Sequence, residues 1–250
     1  MKITRDDIMG MPITLEIFDI SFNEDIFSKV FSYFEFIDKK FSTYKKDSEI
    51  SLINAGAIKA DQYSLEVKEI LRLSENTKKD TGGYFDILTP EGKLAPLGLV
   101  KGWAIQKAVE TILNAGIKNF YINAGGDIQA IGKNSEGEYL RVGIENPFKK
   151  GEIVKVVELK NAGMATSGTY IRGQHIYNPF ARDKTIDDII SLTVIGPNIY
   201  EADRFATAAF AMGKSGIEFI ERLEGFEGYM IDKNGIAIST SGFDKIVLKK

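Results

Sequence analysis

The 250-residue chain contains no cysteine and only one histidine, His175. Without cysteine there can be no disulfide, no thiolate nucleophile and no zinc site built on thiolates. With one histidine there can be no histidine cluster for a transition metal. A metal ion in this protein is therefore expected to be a hard cation with oxygen ligands.

The chain also lacks a large excess of either charge and any long basic run. Its 32 basic and 35 acidic side chains give a net charge of -3, so no global positive field draws it to nucleic acid. The N-terminal residues carry scattered charges and no apolar run of signal-peptide length, and a chain without cysteine has no lipid-modified cysteine. We therefore expect a cytoplasmic protein with no nucleic-acid partner and no direct membrane anchor.

Apolar periodicity predicts the elements of the first half of the chain. Alternation predicts a strand over 13–18, and helical spacing predicts a helix over 24–41. A second helix is predicted from Ser64, as its N-cap, to Gly82. After a loop-like segment, a third helix is predicted over 101–115.

The second half is predicted to be rich in strands. Strands are expected within 119–132, 139–147, 152–160 and 191–197, followed by a helix within 201–213 and a hairpin within 228–240. The chain shows no repeats or long linkers. We predict an α+β fold with helices packed on antiparallel sheet, forming a single domain over residues 1–250, and a two-lobed arrangement of that unit stays open.

His175 lies in a polar, glycine-containing stretch over 165–179. Its unperturbed pKa makes it the one ordinary candidate for proton transfer near neutral pH. A histidine that only hydrogen-bonds within a loop is the alternative, and the residues of this stretch alone do not decide between the two.

Asp203 and Thr207 are four residues apart on a predicted helix, so their oxygen atoms lie on one helical face. Together with a backbone carbonyl and water they would suit Mg²⁺, which commonly takes few carboxylates and completes its shell with substrate phosphates. In the alternative interpretation, Asp203 stabilises the helix N-terminus and Thr207 bonds to a backbone carbonyl.

Two glycine-containing segments could meet phosphate groups. The Gly125–Asp127 turn follows a strand, and it either faces a ligand or simply closes a hairpin. Gly98, Lys101 and Gly102 lie at the predicted start of the third helix, where free amides and a cation could meet a phosphate, or where the lysine is only solvated. Neither segment is a dinucleotide-binding or P-loop motif, because the required glycine spacing is absent.

Taken in order, these segments resemble the FAD:protein FMN transferase family, the ApbE-type flavin transferases. The resemblance rests on the motifs MGMPITLEIF, STYKKDSEISLIN, GGYFDIL, LGLVKGWAIQKA, NAGGDI, ATSGTY, HIYNP and EADRFATAAFAMG. They extend from Met9 to about Gly213. The resemblance implies an ApbE-like, T-fold-like α+β architecture.

The resemblance also implies the site residues and the reaction. It implies FAD contacts at Met9, Tyr44, Tyr84, Phe85, Asp86, Lys101, His175 and Ile176. It implies Mg²⁺ on Asp203, on Thr207 and on a backbone carbonyl at Val100, with His175 accepting a proton. The implied reaction transfers FMN from FAD, as substrate, to a threonine or serine of an acceptor flavoprotein and releases AMP.

The chain departs from the family pattern at two positions. Ala95 stands where many members have aspartate, and Asn178 stands where an acid often follows the histidine. The loop from Asp86 to Gly98 is shorter than in the secreted, lipid-anchored members and resembles the compact cytoplasmic branch. An FAD-binding or flavin-carrier protein without transfer activity, or an FAD pyrophosphatase, remain alternative functions.

Overall fold

The structure is a computed structural model that describes residues 1–169 and 176–248. An antiparallel sheet of eight strands has helices on one face and a two-stranded hairpin on the other. Mixed helix and antiparallel sheet were predicted from the sequence, and this fold class is confirmed.

The elements are numbered in chain order. The strands are β1 (Lys2–Ile8), β2 (Met11–Ile17), β3 (Phe120–Ala124), β4 (Asp127–Ile131), β5 (Leu140–Glu145), β6 (Ile153–Leu159), β7 (Gly163–Gly168), β8 (Ile189–Gly196), β9 (Glu227–Asp232) and β10 (Ala237–Ser239). The helices are α1 (Asp25–Phe41), α2 (Glu49–Asn54), α3 (Leu65–Asp80), α4 (Leu97–Asn114), α5 (Ile199–Ala211) and α6 (Gly216–Glu221).

The large sheet has the order β1-β2-β3-β4-β7-β8-β9-β10, and all its neighbours are antiparallel. The chain leaves the sheet after β2, forms α1 to α4, and returns as β3 beside β2. It leaves again after β4 for the separate β5–β6 hairpin and returns as β7. Two pairs of neighbouring strands are therefore separated in sequence. The helices lie between β2 and β3, and the hairpin lies between β4 and β7.

Two apolar layers lie on opposite faces of the large sheet, because successive strand side chains point in opposite directions. Val194 of β8 lies in the layer beneath the helices, as do Leu15 of β2 and Ile122 of β3. Ile195, the next residue, packs in the other layer with Val157 of the hairpin. Each face of the sheet is thus covered by a different part of the chain.

Most predicted elements are confirmed. The helix predicted over 24–41 is α1, and Ser64 is the N-cap of α3, where its hydroxyl accepts a hydrogen bond from the Val67 amide. The hairpin predicted within 228–240 is formed by β9 and β10.

The third predicted helix was placed too late, because α4 begins at Leu97 rather than at residue 101. Pro96 precedes its first residue, and proline is tolerated at a helix start because its missing amide hydrogen would have no helical partner there. Gly98, which lies in the segment expected to be loop-like, is inside the helix, and α5 packs closely against it and against Gly102.

Strands β1 and β7 were not predicted. The sequence of β7, GMATSG, is small and polar rather than β-branched, so its composition is typical of a loop. Hydrogen bonding to β4 on one side and to β8 on the other holds it in the sheet. The single-domain organisation over residues 1–250 stays a prediction.

Among residues 1–169 and 176–248, no helix combines the length and the apolar composition needed to cross a membrane.

Candidate active site

A cavity of about 470 Å³ opens where the start of α4, the middle of α5 and the ends of several strands meet. Such a volume is ordinary for a small-molecule site. Its walls contain polar groups from segments far apart in sequence. The residues that line it include Tyr84, Phe85, Asp86, Ala95, Gly98, Lys101, Gly125, Gly126, Asp127, Thr166, Ile176, Tyr177, Asp203 and Thr207.

Close packing of α4 on α5 forms one wall. A Cβ atom placed on Gly98 would lie 2.8 Å from Thr207 Oγ1, and one on Gly102 would lie 2.7 Å from Asp203 Cβ. Glycines at these two positions, one helical turn apart, therefore let α4 approach the α5 face that carries Asp203 and Thr207. This confirms that the two oxygen-bearing residues share one face and shows that the face borders the cavity.

Main-chain groups of α4 contact both side chains. The Gly102 amide donates a hydrogen bond of 2.8 Å to Asp203 Oδ2. The Thr207 hydroxyl lies 3.4 Å from the Gly98 carbonyl oxygen. A carboxylate, a hydroxyl and a carbonyl are thus gathered in one place, and the carboxylate belongs to a residue that is only 4% exposed.

The resemblance implied a backbone carbonyl at Val100 for the metal, and this ligand stays a prediction. In the structure, the carbonyl beside the Thr207 hydroxyl is that of Gly98. Val100 is 2% exposed and packs in the helix-side core, and it does not line the cavity. Gly98, two positions nearer the N-terminus, lines the cavity.

The donor set fits a hard cation that also binds phosphate. Within the described residues, no group of three or more His, Cys, Asp or Glu side chains could hold a metal ion. One carboxylate with two neutral oxygens instead matches the Mg²⁺ pattern, in which substrate phosphates complete the coordination shell.

A buried ion pair between α4 and β4 forms another part of the cavity wall. Lys101 Nζ lies 2.6 Å from Asp127 Oδ2, and the two side chains are 14% and 2% exposed. The Asp127 carboxylate also accepts a hydrogen bond of 3.3 Å from the Thr166 amide on β7. These contacts fix the position of the Lys101 ammonium at the cavity wall.

The turn between β3 and β4 carries Asp127 into this position. Gly125 and Gly126 have φ values of +60° and +98°, which L side chains rarely adopt. A Cβ on Gly125 would also lie 2.8 Å from the sulfur of Met11. The turn therefore closes a hairpin, as one interpretation expected, and it also borders the cavity. That it faces a ligand stays a prediction.

The segment after α3 contributes Asp86, whose side chain is 5% exposed. Asp86 Oδ2 lies 3.1 Å from Lys78 Nζ and 3.1 Å from Arg182 Nη2. The other carboxylate oxygen accepts a hydrogen bond from the Leu88 amide. Asp86 therefore connects α3, the segment at Leu88 and the segment at Arg182, and these three segments are called the cavity rim.

Aromatic contacts fasten the segment after Ile176 to the same rim. The rings of Tyr84 and Phe180 pack edge to face at 4.9 Å. The Tyr177 hydroxyl donates to the Leu88 carbonyl. Burial raises the pKa of the Tyr177 hydroxyl to about 12, and the nearby Asp86 carboxylate adds to this rise, so the phenol remains a hydrogen-bond donor at neutral pH.

The cavity brings together most of the predicted site residues, namely Tyr84, Phe85, Asp86, Lys101, Ile176, Asp203 and Thr207. Phe85 is 2% exposed and belongs to the core as well as to the wall. His175 lies outside the described residues. The residue that follows it, Ile176, lines the cavity.

Met9 and Tyr44 do not line the cavity. Met9 lies in the β1–β2 turn with φ +56°, and this turn is near Gly125 because Met11 contacts that glycine. Tyr44 lies on the loop after α1 and is 89% exposed. Their contacts with FAD stay predictions.

The two departures from the family pattern have local roles. Ala95 lines the cavity, and its amide donates a hydrogen bond of 2.7 Å to the Ile87 carbonyl. The side-chain oxygen of Asn178 accepts a hydrogen bond from the Phe180 amide. Asn178 therefore stabilises a turn.

Sequence reasoning missed Arg182, Lys78 and Thr166. Arg182 lies far from its partner Asp86 in sequence, so no local spacing signals their contact. Lys78 is nearer in sequence to Asp86, but it lies on α3 and Asp86 lies in the segment after that helix, so no helical spacing relates them. Thr166 donates through its main chain, which no side-chain motif reveals.

Comparison with known proteins shows the same likeness over most of the chain. The model of the ApbE family matches residues 9–91 and 88–230. The FAD:protein FMN transferase of Escherichia coli strain K12 is 30% identical over 149 residues, which are 56% of this chain and 42% of that protein. The protein of that name from Haemophilus influenzae is 28% identical over 165 residues, 61% of this chain and 48% of that protein. The matched region thus spans less than half the length of these relatives.

Solved structures show the same fold. The flavin transferase ApbE from Vibrio cholerae is 20% identical and superposes with a TM-score of 0.82, covering 98% of this chain and 99% of that one. The ApbE protein from Thermotoga maritima is 19% identical and gives a TM-score of 0.85, covering 100% of this chain and 99% of that one.

Proposed function

The chain belongs to the ApbE family, and from this premise we propose that it transfers FMN from FAD to a threonine or serine of an acceptor flavoprotein in a Mg²⁺-dependent reaction. AMP is the second product. The observation that carries the proposal is the convergence of Asp203, Thr207, Lys101 and Asp127 on one cavity. The relatives named FAD:protein FMN transferase support the same reaction.

The reaction exchanges one phosphorus–oxygen bond for another. The acceptor hydroxyl oxygen bonds to the phosphorus of the FMN half, and the bond from that phosphorus to the oxygen shared with AMP breaks. The hydroxyl proton leaves to a base, and AMP departs with the shared oxygen. Little covalent work falls to the protein, so its task is to position the reactants and stabilise negative charge.

Mg²⁺ would be held by the Asp203 carboxylate, the Thr207 hydroxyl and the Gly98 carbonyl. When bound, such an ion neutralises charge on the phosphate oxygens. The close approach of α4 to α5 supports this donor set, because any side chain at position 98 would crowd Thr207. Asp203 is oriented by the Gly102 amide that donates to it.

Lys101 would bind the pyrophosphate, and Asp127 would orient it. A lysine ammonium is a strong point charge for phosphate oxygens. In the absence of the dinucleotide its charge is balanced by Asp127 at 2.6 Å. The ion pair with Asp127 offsets the cost of burying the Lys101 ammonium. The ammonium is therefore already in place when a negatively charged substrate enters the cavity.

His175 would accept the proton of the acceptor hydroxyl. This role rests on the family resemblance, and it is supported by the cavity position of Ile176, the next residue in the chain. General-base catalysis of this kind typically contributes about 10²- to 10⁴-fold in rate. Tyr177 is unsuited to the task because burial keeps its hydroxyl protonated.

The flavin and adenine rings would pack against the aromatic part of the rim. Tyr84 presents a half-buried ring at the cavity, next to Phe180. Aromatic side chains bind planar rings through a large apolar contact area with a defined stacking geometry. Asp86 is held in place by Lys78 and Arg182 and would fix the position of this rim.

The test follows the nucleotide products. The protein is incubated with FAD and Mg²⁺, with and without a candidate acceptor, and AMP and free FMN are separated chromatographically. The proposal predicts AMP release that depends on the acceptor, with little free FMN. Equal amounts of AMP and free FMN without acceptor would indicate an FAD pyrophosphatase, and bound FAD with no AMP would indicate a flavin carrier.

A further inference from the structure

The β5–β6 hairpin forms part of the cavity wall, because residues 142–145 line the cavity. The hairpin lies on the face of the large sheet opposite to the helices. One edge of this hairpin is covered by the C-terminal segment. The Glu158 amide donates to the Ile246 carbonyl at 3.0 Å, and the Leu248 amide donates to the Val156 carbonyl at 2.9 Å. The remaining edge is that of β5.

The strand register fixes the direction of the main-chain groups on β5. Val156 and Glu158 turn their main-chain groups away from β5, towards the C-terminal segment. Their partners in the antiparallel ladder are Gly143 and Arg141. Opposite residues in such a ladder point either both inwards or both outwards, so Arg141 and Gly143 point outwards.

Glu145 has the same orientation. The Asn146 amide donates to the Glu152 carbonyl at 2.7 Å, so Asn146 points towards β6 and its neighbour Glu145 points away. Within residues 1–169 and 176–248, no hydrogen bond reaches the main-chain groups of Arg141, Gly143 or Glu145. A row of main-chain donors and acceptors is therefore open along the cavity.

We propose that this open edge of β5 binds an extended segment of the acceptor protein as an additional strand and so delivers its threonine or serine hydroxyl to the cavity. The inference rests on the proposed function. An unpaired edge is a template for strand addition, in which main-chain hydrogen bonds give affinity and alternate side chains give specificity.

The position and character of the edge identify this occupant. Transfer requires a hydroxyl group to enter the cavity, and the edge is continuous with the cavity wall. Val142 and Ile144 pack on the apolar layer, whereas the exposed face of β5 carries Arg141 and Glu145, one charge of each sign. A polar segment with both charge signs complements that face better than an apolar one.

The enzyme-side test compares Arg141→Pro with Arg141→Ala. Proline removes the outward amide hydrogen without removing a bond to β6, and proline is tolerated on edge strands. Alanine removes the same side chain but keeps the amide, so it is the matched control. Arg141 does not line the cavity, so FAD binding should stay within about twofold in both variants.

The proposal predicts that Arg141→Pro raises the KM for the acceptor about 3- to 10-fold, the equivalent of one lost main-chain hydrogen bond. Arg141→Ala loses one exposed charge of this face but no main-chain hydrogen bond, and because exposed charge contacts contribute little, it should raise this KM by at most about twofold. An unchanged KM in a folded Arg141→Pro variant, judged by its circular dichroism and melting temperature, would overturn the proposal. If the Arg141→Pro variant kept the parent KM but no longer formed a dimer that the parent forms, the proposal would also be overturned. The β5 edge would then pair with a second copy of the chain.

A second test leaves the enzyme unaltered. A synthetic acceptor peptide is N-methylated at one residue at a time around the flavinylated hydroxyl. Strand addition predicts that methylation at every second residue lowers transfer, whereas the residues between tolerate it. If methylation lowers transfer without this alternation, the strand proposal is contradicted and the proposed function is not. No transfer to the unmodified peptide or to its parent protein overturns the proposed function and the strand proposal together.

Discussion

The Gly102 amide of α4 donates a 2.8 Å hydrogen bond to Asp203 Oδ2 of α5, and a Cβ at position 102 would lie 2.7 Å from the Cβ of that aspartate. The bond and the close contact have one cause, since only glycine lets the two helices approach to this distance. The orientation of the acidic side chain therefore depends on a residue of the neighbouring helix that carries no side chain.

Gly102→Ala is expected to destabilise the protein and lower transfer. Alanine favours the helix by up to about 1 kcal/mol, but its Cβ would also lie 2.9 Å from the Ile199 carbonyl, which is backbone and cannot rotate away. We expect a net loss of about 1–3 kcal/mol in the free energy of unfolding, measured by urea denaturation. Glu110→Ala, on the exposed face of α4, is the control and should change it by less than about 0.5 kcal/mol. A Gly102→Ala protein as stable as the parent would contradict this packing argument.

Thr207→Val tests the metal site. Valine keeps the shape of threonine but has no hydroxyl, so the Mg²⁺ concentration that gives half-maximal transfer should rise by about tenfold or more. Thr207→Ser keeps the hydroxyl and should stay within a few-fold of the parent. The measurement is the transfer rate against Mg²⁺ concentration at saturating FAD. Equal Mg²⁺ requirements in the valine variant and the parent would remove Thr207 from the metal site.

Lys101→Met is expected to weaken both stability and FAD binding. It leaves the Asp127 carboxylate buried without its cation, which typically costs about 3–5 kcal/mol. Adding Asp127→Asn removes the orphaned charge and should restore most of the stability, measured by urea denaturation. It should not restore FAD binding, because the phosphate partner is still missing, and the dissociation constant should remain about tenfold or more above the parent value. Parent-like FAD affinity in the double variant would show that Lys101 has no role in binding phosphate.

His175→Ala should retain FAD binding and lose most transfer, by about 10²- to 10⁴-fold if the histidine is the proton acceptor. Flavin fluorescence gives the FAD affinity, and the initial rate of acceptor labelling gives the activity. Added imidazole should restore part of the rate. If FAD binding disappears instead, His175 is a ligand contact and its assigned role is wrong.

The sequence predicted the helices α1 and α3, the helical face of Asp203 and Thr207, and the hairpin turn at Gly125–Asp127 as one of two alternatives. These features depend on local periodicity or on spacing within one element. Strand β7 could not be predicted in this way, because its composition is that of a loop and only its neighbours in the sheet hold it extended.

Most residues of the candidate site could be named from the sequence. The contacts between them could not. The start of α4 at Leu97 places Gly98 inside the helix with its carbonyl beside Thr207, and helix boundaries are poorly defined by sequence. The attachment of Arg182 to Asp86 joins residues that are distant in sequence. Such contacts depend on the folded chain, and no local motif signals them.

The central claim is best tested by the intact mass of an acceptor protein after incubation with the enzyme, FAD and Mg²⁺. The account predicts a gain equal to one FMN attached through a phosphoester, absent when Mg²⁺ is chelated and absent when the acceptor hydroxyl is replaced by alanine. An acceptor that is flavinylated by a related transferase but gains no mass here would contradict it.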